Sequence, residues 1–405
     1  MSEGDEEHAV NQTLFSRPDA ARRGACPTLD APMQTGDGLL ARLRVAGNRL
    51  APQQLAALAR LALAHGNGLV EITARGNLQV RGLTPASAPL FARAAGALLP
   101  VETGLVVDLS PLAGEDPAEK ADPLPLAARI RAAAAPLAGR LGPKVSLVID
   151  SAGQFPLAAL RADIRLLARD ETHWTVTLGG ARPQVLDTES AFAASLAVLN
   201  ALAALGPEAR ASDLFPRAAT QEPDGVSPWP ESGAYALCAP GRETGRTVPV
   251  ALPFGQADSA VLIALCQAAE AAGLATLRLA PGHCILADNA PPRLVAEAER
   301  LGFVTRPDDP RRRISACIGA RGCAAGHIAA RQLAGRLAPH LPPGRHLHVS
   351  GCAKGCAHPR PADLTLVGRT DGIGLVISGR AGDTPQDILD EAGLSAALAA
   401  RQEGR

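Results

Sequence analysis

Lysine is nearly absent from this chain: of 40 basic residues only Lys120, Lys144 and Lys354 are lysines. Arginine stands wherever a positive charge is merely wanted. A retained lysine is therefore a candidate for a place that needs a compact, mobile ammonium, with chance retention as the alternative. An excess of either charge is missing too, with 40 acidic residues against 40 basic. That removes the long-range field which draws in nucleic acids or membrane surfaces. No apolar run approaches the roughly 18 residues of a membrane span. The acidic start MSEGDEEHAVNQ lacks the apolar stretch of a secretory signal. The expectation is a cytoplasmic protein with neither nucleic acid nor membrane as partner. No G-x-G-x-x-G sits between a strand and a helix, which argues against a dinucleotide fold.

What is present begins with size: 405 residues, 47% hydrophobic and 20% charged, a globular composition expected to form two or three structural domains. Eight cysteines in a chain of this kind suggest metal binding or packing before disulfides. Cys26, Cys238, Cys266 and Cys284 are scattered among apolar neighbours and fit plain burial. The other four are grouped. Cys317 and Cys323 form a C-x5-C pair, Cys352 and Cys356 a C-x3-C pair, with 28 residues between the pairs. Four thiolates in two close pairs are what a cubane iron–sulfur cluster requires. Zinc is the main rival, but structural zinc favours shorter knuckles. Gly319, Gly322, Gly351 and Gly355 beside the cysteines let backbone N–H groups approach the sulfurs.

The chain also contains itself twice. At an offset of 207, Leu55, Leu58, Ala62, Val70 and Ile72 fall on Leu262, Leu265, Ala269, Leu277 and Leu279. Each copy has the pattern strand, helix, strand, and a glycine (Gly66, Gly273) closes each helix. Between and after the copies lie α/β stretches. They include a helix over 125–141, the strand KVSLVID, an antiparallel pair in DIRLLARD and HWTVTLGG, a helix near 324–337, and strands HLHVS, LTLVG and GLVIS. The boundaries expected are 18–100, 101–235, 236–308 and 309–405, with the halves divided near Thr220 to Glu231.

ACIGARGCAAGHIAARQLA and LHVSGCAKGCAHPRPADLTLVG resemble the cluster segments of the sulfite and nitrite reductase superfamily. SGCAKGCAHP, with ACPTLDAPMQTGDGLLARLR near the start, is most similar to its precorrin-3B synthase branch. The likeness spans residues 18 to 385. It implies an α/β (α+β) fold of pseudo-twofold reductase-like architecture, with two ferredoxin-like half-repeats and two α/β units, the last carrying a [4Fe-4S] cluster on Cys317, Cys323, Cys352 and Cys356. In the superfamily the last of these, here Cys356, bridges to sirohaem iron. Sirohaem stays open for this chain as a haem-type cofactor and is not the favoured reading.

The resemblance also implies a set of carboxylate-binding residues. An R-x-R strand is matched by Arg42 and Arg44, and a T-x-R-x-x-x-Q turn by Thr73, Arg75, Asn77 and Gln79. A K-x-K strand is matched by Lys144 with Ser146 in the second place. Several fixed cations suit a macrocycle with many acetate and propionate groups. Surface charge is the bland alternative for each alone. Asp37 and Lys144 are the candidate catalytic residues, with a turn-forming role the stronger reading for Asp37. Two departures count against sulfite or nitrite reduction: Ser146 removes a lysine, and Pro281-Gly282-His283 replaces the arginine-bearing turn in the second repeat. The activity implied is that of an oxidoreductase, a monooxygenase taking precorrin-3A and O2. Its electrons come from a separate reductase drawing on NADH. A sirohaem-dependent reductase and a non-catalytic electron-transfer or tetrapyrrole-binding protein are the alternatives. His327, His346, His348 and His358 lie near the cysteines and raise the question of a second iron, structural roles being the commoner case.

Overall fold

A computed structural model describes residues 26–216, 247–391 and 393–394. The division expected near Thr220 to Glu231, Cys238 and the acidic start lie outside the described residues. Helix Pro52–His65 opens on a proline, whose missing N–H is harmless in the first turn, and turns Leu55, Leu58, Ala59 and Ala62 inward. Its counterpart, Ser259–Ala271, buries Leu262, Leu265, Cys266 and Ala269. Both helices share one apolar core.

Two antiparallel sheets complete that core. The first runs Met33–Thr35, Gly38–Leu43, Leu78–Leu83, Leu69–Ile72, Gln256–Asp258. The other runs Val248–Ala251, Cys284–Ala287, Leu277–Ala280, Arg49–Leu50. Each sheet is thus edged by a short strand from the opposite repeat. Leu50 lies opposite Leu277 and Arg49 opposite Arg278; Ala257 lies opposite Val70 and Gln256 opposite Glu71. Adding the offset of 207 to residues 49, 50, 70 and 71 gives 256, 257, 277 and 278. The exchange is therefore reciprocal to the residue, as a pseudo-twofold axis demands.

The two remaining sheets are also alike. In chain order, Val106–Leu109, Ser146–Asp150 and Ile164–Ala168 are parallel neighbours, followed by antiparallel His173–Leu178 and Gln184–Asp187. The last sheet repeats this with Ile314–Ala316, Leu347–Ser350 and Ala362–Arg369 parallel, then Gly372–Gly379 and Asp387–Leu389 antiparallel. A crossover helix joins the first two strands of each: Leu124–Ala134 and Ala330–Leu337, both ending in a 3₁₀ turn.

Three expectations need correction. The helix placed near 324–337 begins only at Ala330. Residues before it spend their backbone groups across the cysteine loops, His327 N–H on the Gly351 carbonyl at 2.8 Å and Ala320 N–H on that of Ile328 at 2.8 Å. The helix over 125–141 is α-helical only to Ala134. Finally, Thr188–Leu205 is long and apolar enough to cross a membrane. Asp187 caps it by accepting from Ser190 N–H, and Ala191, Val198, Leu199 and Leu202 pack into the core beside the 106–187 sheet.

Candidate active site

Parallel neighbours Ile314–Ala316 and Leu347–Ser350 end side by side, so the loops that follow them meet. Cys317 opens one loop; Cys352 and Cys356 lie in the other. Cys317 N–H donates to the Val349 carbonyl at 3.2 Å, and Gly351 N–H donates to the Cys317 sulfur at 3.0 Å. Approach this close depends on glycine. A Cβ on Gly319, whose φ is +65°, would stand 2.5 Å from the Ile328 oxygen, and one on Gly351 would stand 2.9 Å from the Gly319 Cα. The first repeat reaches in as well: a Cβ on Gly36 would meet the Cys323 sulfur at 2.6 Å.

All four thiols are free and line one cavity. Cys356 is exposed as a residue, yet partial burial of its thiol and the field of Cys352, Cys317 and Cys323 raise its pKa. A zinc ion would draw the sulfurs to about 2.3 Å from one point. Among the described residues no three His, Cys, Asp or Glu side chains close on a single-ion site.

The cavity measures about 1330 Å³, above the roughly 300–1,000 Å³ of ordinary ligand pockets. Eight arginines and lysines line it against four acidic residues among those described, in a chain whose 40 and 40 charges cancel. Its floor is a cross-strand row. Arg42 lies opposite Gln79, and Gln79 opposite Glu71. Arg42 Nε donates to Gln79 Oε1 at 2.8 Å, and Gln79 Nε2 to Glu71 Oε2 at 2.7 Å. Arg331 Nη2, from helix Ala330–Leu337, donates to Glu71 Oε1 at 3.1 Å. Gln79 thereby fixes one edge of Arg42. Burial works against the Arg42 charge, with Cys26 and Glu71 as the main offsets.

Of the residues singled out in the sequence, Arg42, Thr73, Gln79, Lys354 and the four cysteines meet at this cavity. Others do not reach it. Arg44 turns away as the chain leaves its strand, donating through Nη2 to the Gly104 carbonyl at 2.8 Å. Arg75 is held by Asp108 and the Arg161 carbonyl. Asn77 lies in the same turn, where its backbone N–H donates to Thr73. Lys144 is exposed ahead of strand Ser146–Asp150, outside the cavity lining. Ser146 is buried within that strand, its N–H on Asp163 at 3.1 Å. A lysine at 146 would point into packed protein here, so the missing charge there does not bear on this cavity.

Asp37 is saturated. It takes two bonds from Arg81, at 2.9 and 2.7 Å, one from Thr35 at 2.7 Å and one from Asn67 at 3.0 Å. Burial alone would raise its pKa; the bonds from Arg81 and Thr35 outweigh that and hold it below its ordinary 3.8. A depressed pKa contributes stability above the unfolded value, and that contribution is lost as pH falls through the folded one. We expect Asp37→Asn to cost about 2–4 kcal/mol at neutral pH. The gap from wild type should narrow below pH 3.8, the ordinary value. Denaturant midpoints across pH check this; a gap constant down to the most acid point would contradict it.

Sequence reasoning missed Glu71, Arg81, Arg311, Arg313, Arg331 and Arg345, all in the lining. The run Pro310-Arg311-Arg312-Arg313 was the available signal; Glu71 and Arg331, 260 residues apart, gave none. Turn 281–283 does line the cavity, but His283 Nδ1 is engaged with the Ile72 carbonyl at 2.6 Å, and burial lowers its pKa. His346 also lines it and packs edge-on to His358 at 4.5 Å. Ser315 Oγ bridges His346 and His348, at 3.0 and 3.1 Å. Burial lowers their pKa values to about 3 and about 4. His327 borders a separate hollow.

Comparison with known proteins defines the class first. Residues 31–98 match the nitrite/sulfite reductase ferredoxin-like half domain family. A solved structure of the Mycobacterium tuberculosis NirA protein superposes with a TM-score of 0.59, covering 91% of this chain and 82% of that one at 18% identity. The architecture is therefore the nitrite/sulfite reductase fold. Within it, a precorrin-3B synthase from Sinorhizobium sp is 41% identical over 408 residues, covering 93% of this chain and 88% of that protein. The chain belongs to the precorrin-3B synthase family, a family of cobalamin-biosynthesis enzymes.

Proposed function

We propose that this chain hydroxylates precorrin-3A at C20 with O2 while an acetate side chain of the macrocycle closes a γ-lactone. The observation that carries the reading is one cavity, large and net cationic, with four cysteines in its wall. One oxygen atom of O2 adds across the ring double bond at C20, and the acetate carboxyl attacks the neighbouring carbon, closing the lactone as its proton passes to the C20 oxygen. The other atom of O2 leaves as water with two electrons and two protons, supplied through a separate reductase drawing on NADH.

Cys317, Cys323, Cys352 and Cys356 are the residues that would hold a [4Fe-4S] cluster. Two observations support the fit: the Gly351 N–H already aimed at the Cys317 sulfur, and the buried, unpaired Nε and Nη1 of Arg331, since a cluster and its thiolates are anionic and accept such donors. When bound, the cluster supplies single electrons for oxygen activation. The chain's own part is to bind and orient. Arg42, steadied by Gln79, receives a carboxylate of the macrocycle, and its planar fork suits that group better than an ammonium. Arg312 and Lys354, on the cysteine-bearing side of the lining, offer further positive charge to the rim. Apolar Phe155, Leu157 and Leu160 from the 106–187 unit cover the remaining wall and limit water. Lys144 and Asp37 are not needed in this account.

The same fold serves sulfite and nitrite reduction in the resembling superfamily, so the test must separate the two. Under labelled O2, with reductant and precorrin-3A, the pigment should gain one labelled oxygen atom. Unlabelled pigment together with sulfite or nitrite turnover would reject the reading.

A further inference from the structure

Arg331 sits in the first turn of its helix and lines the cavity. Only Nη2 has a partner, Glu71, while Nε and Nη1 are shut off from solvent without one. Glu71 does not neutralise it, because that carboxylate also serves Arg81 at 3.6 Å and Gln79 at 2.7 Å. Asp37 pairs with Arg81, so Arg42, Arg81 and Arg331 together face two carboxylates, Glu71 and Asp37, and one positive charge is left over in the wall. A carboxylate on a ligand entering the open cavity would need exposed nitrogens, and these two are closed off. Their partner must be seated in the wall itself. On that side lies Cys317, which shares the cavity lining and packs against the core that helix Ala330–Leu337 helps to build. Its sulfur already accepts the Gly351 N–H, so this corner is the one equipped with donors.

We propose that Arg331 is a positioning residue of the iron–sulfur centre, its only partly offset charge on the Cys317 side of the wall favouring the reduced state and raising the reduction potential. The inference rests on the cluster reading above. A fixed cation in a low-dielectric wall stabilises the form with the extra electron. Glu71 holds the guanidinium in place and partly offsets it.

The test is a redox titration of the holoprotein followed by electron paramagnetic resonance, with iron and sulfide counted in every sample. Arg331→Met and Arg331→Gln should lower the reduced-to-oxidised ratio at the wild-type midpoint about tenfold, a shift of about 59 mV for one electron. Arg331→Lys, which keeps the charge, should stay within about threefold of wild type on the same scale. Glu71→Gln should move the midpoint the opposite way, since it removes the counter-charge and leaves the cation. Neutral variants titrating at the wild-type midpoint with full iron, or Arg331→Lys shifting as far as Arg331→Met, would overturn the proposal. If the neutral variants fail to load iron, Glu71→Gln decides: an unmoved or more negative midpoint overturns it. Wild-type protein without four irons and four sulfides per chain would instead defeat the cluster assignment beneath it.

Discussion

Cys356→Ser should abolish oxygen insertion and strip the chain of its iron chromophore. An alkoxide is a poor ligand for iron in a sulfide-bridged unit. Cys356 is also the most exposed of the four thiols, so it has little packing of its own to lose. Wild type should show a broad visible shoulder without Soret-type bands and about four irons and four sulfides per chain. The variant should show neither, with its fold intact by circular dichroism. Cys266→Ala is the control. That thiol is fully buried in the core shared by the half-repeats, and burial pushes its pKa up to about 12. Its loss should cost about 1–2 kcal/mol of stability and leave iron and activity unchanged. A Cys356→Ser protein with full iron and turnover would remove that residue from the ligand set.

Gly36→Ala should be nearly as damaging, although residue 36 lies in the opposite half of the chain from the cysteines. The added Cβ would stand 2.6 Å from the Cys323 sulfur and 3.5 Å from its Cα. A free thiol is the end of a short side chain and can rotate aside, so the apoprotein should fold with little loss. A sulfur bound to iron has no such freedom. We expect a roughly 10–100-fold loss of iron affinity, the range for disturbed outer-shell contacts, with apo-state melting close to wild type. Iron retained under graded chelator is the measurement. Wild-type retention would show that the turn at residue 36 does not press on the Cys323 loop.

The two predictions draw on opposite degrees of legibility. The grouping of the cysteine pairs could be read from their spacing, and the fold brings all four to one cavity. The repeat was legible for a similar reason: apolar spacing on Pro52–His65 and Ser259–Ala271 survives the offset, and the reciprocal edge strands obey it to the residue. Contacts between elements were not legible. Nothing in the chain says that Gly36 abuts Cys323 or that Arg331 reaches Glu71 across the fold. Arg44 shows how a strand motif misleads. Period-two alternation puts it on the face of Arg42, but the strand ends at Leu43 and Val45 bridges to Val101, which carries Arg44 toward Gly104. Lys144 lies just before its strand begins, where no sheet register aims it. Helix 324–337 was drawn too long because apolar spacing cannot reveal backbone groups already committed to a neighbouring loop.

The central claim is that O2, and not a small sulfur or nitrogen oxyanion, is reduced in this cavity beside a carboxylate-rich macrocycle. Its most direct test is anaerobic mixing of holoprotein, reductant and precorrin-3A, followed by a pulse of isotopically labelled O2 and mass analysis of the pigment. The account predicts one labelled oxygen in the product, none without O2, and sharply less with Arg42→Ala, which loses the guanidinium that Gln79 holds at 2.8 Å. Pigment recovered without label from active, iron-replete protein that turns over sulfite or nitrite would contradict it.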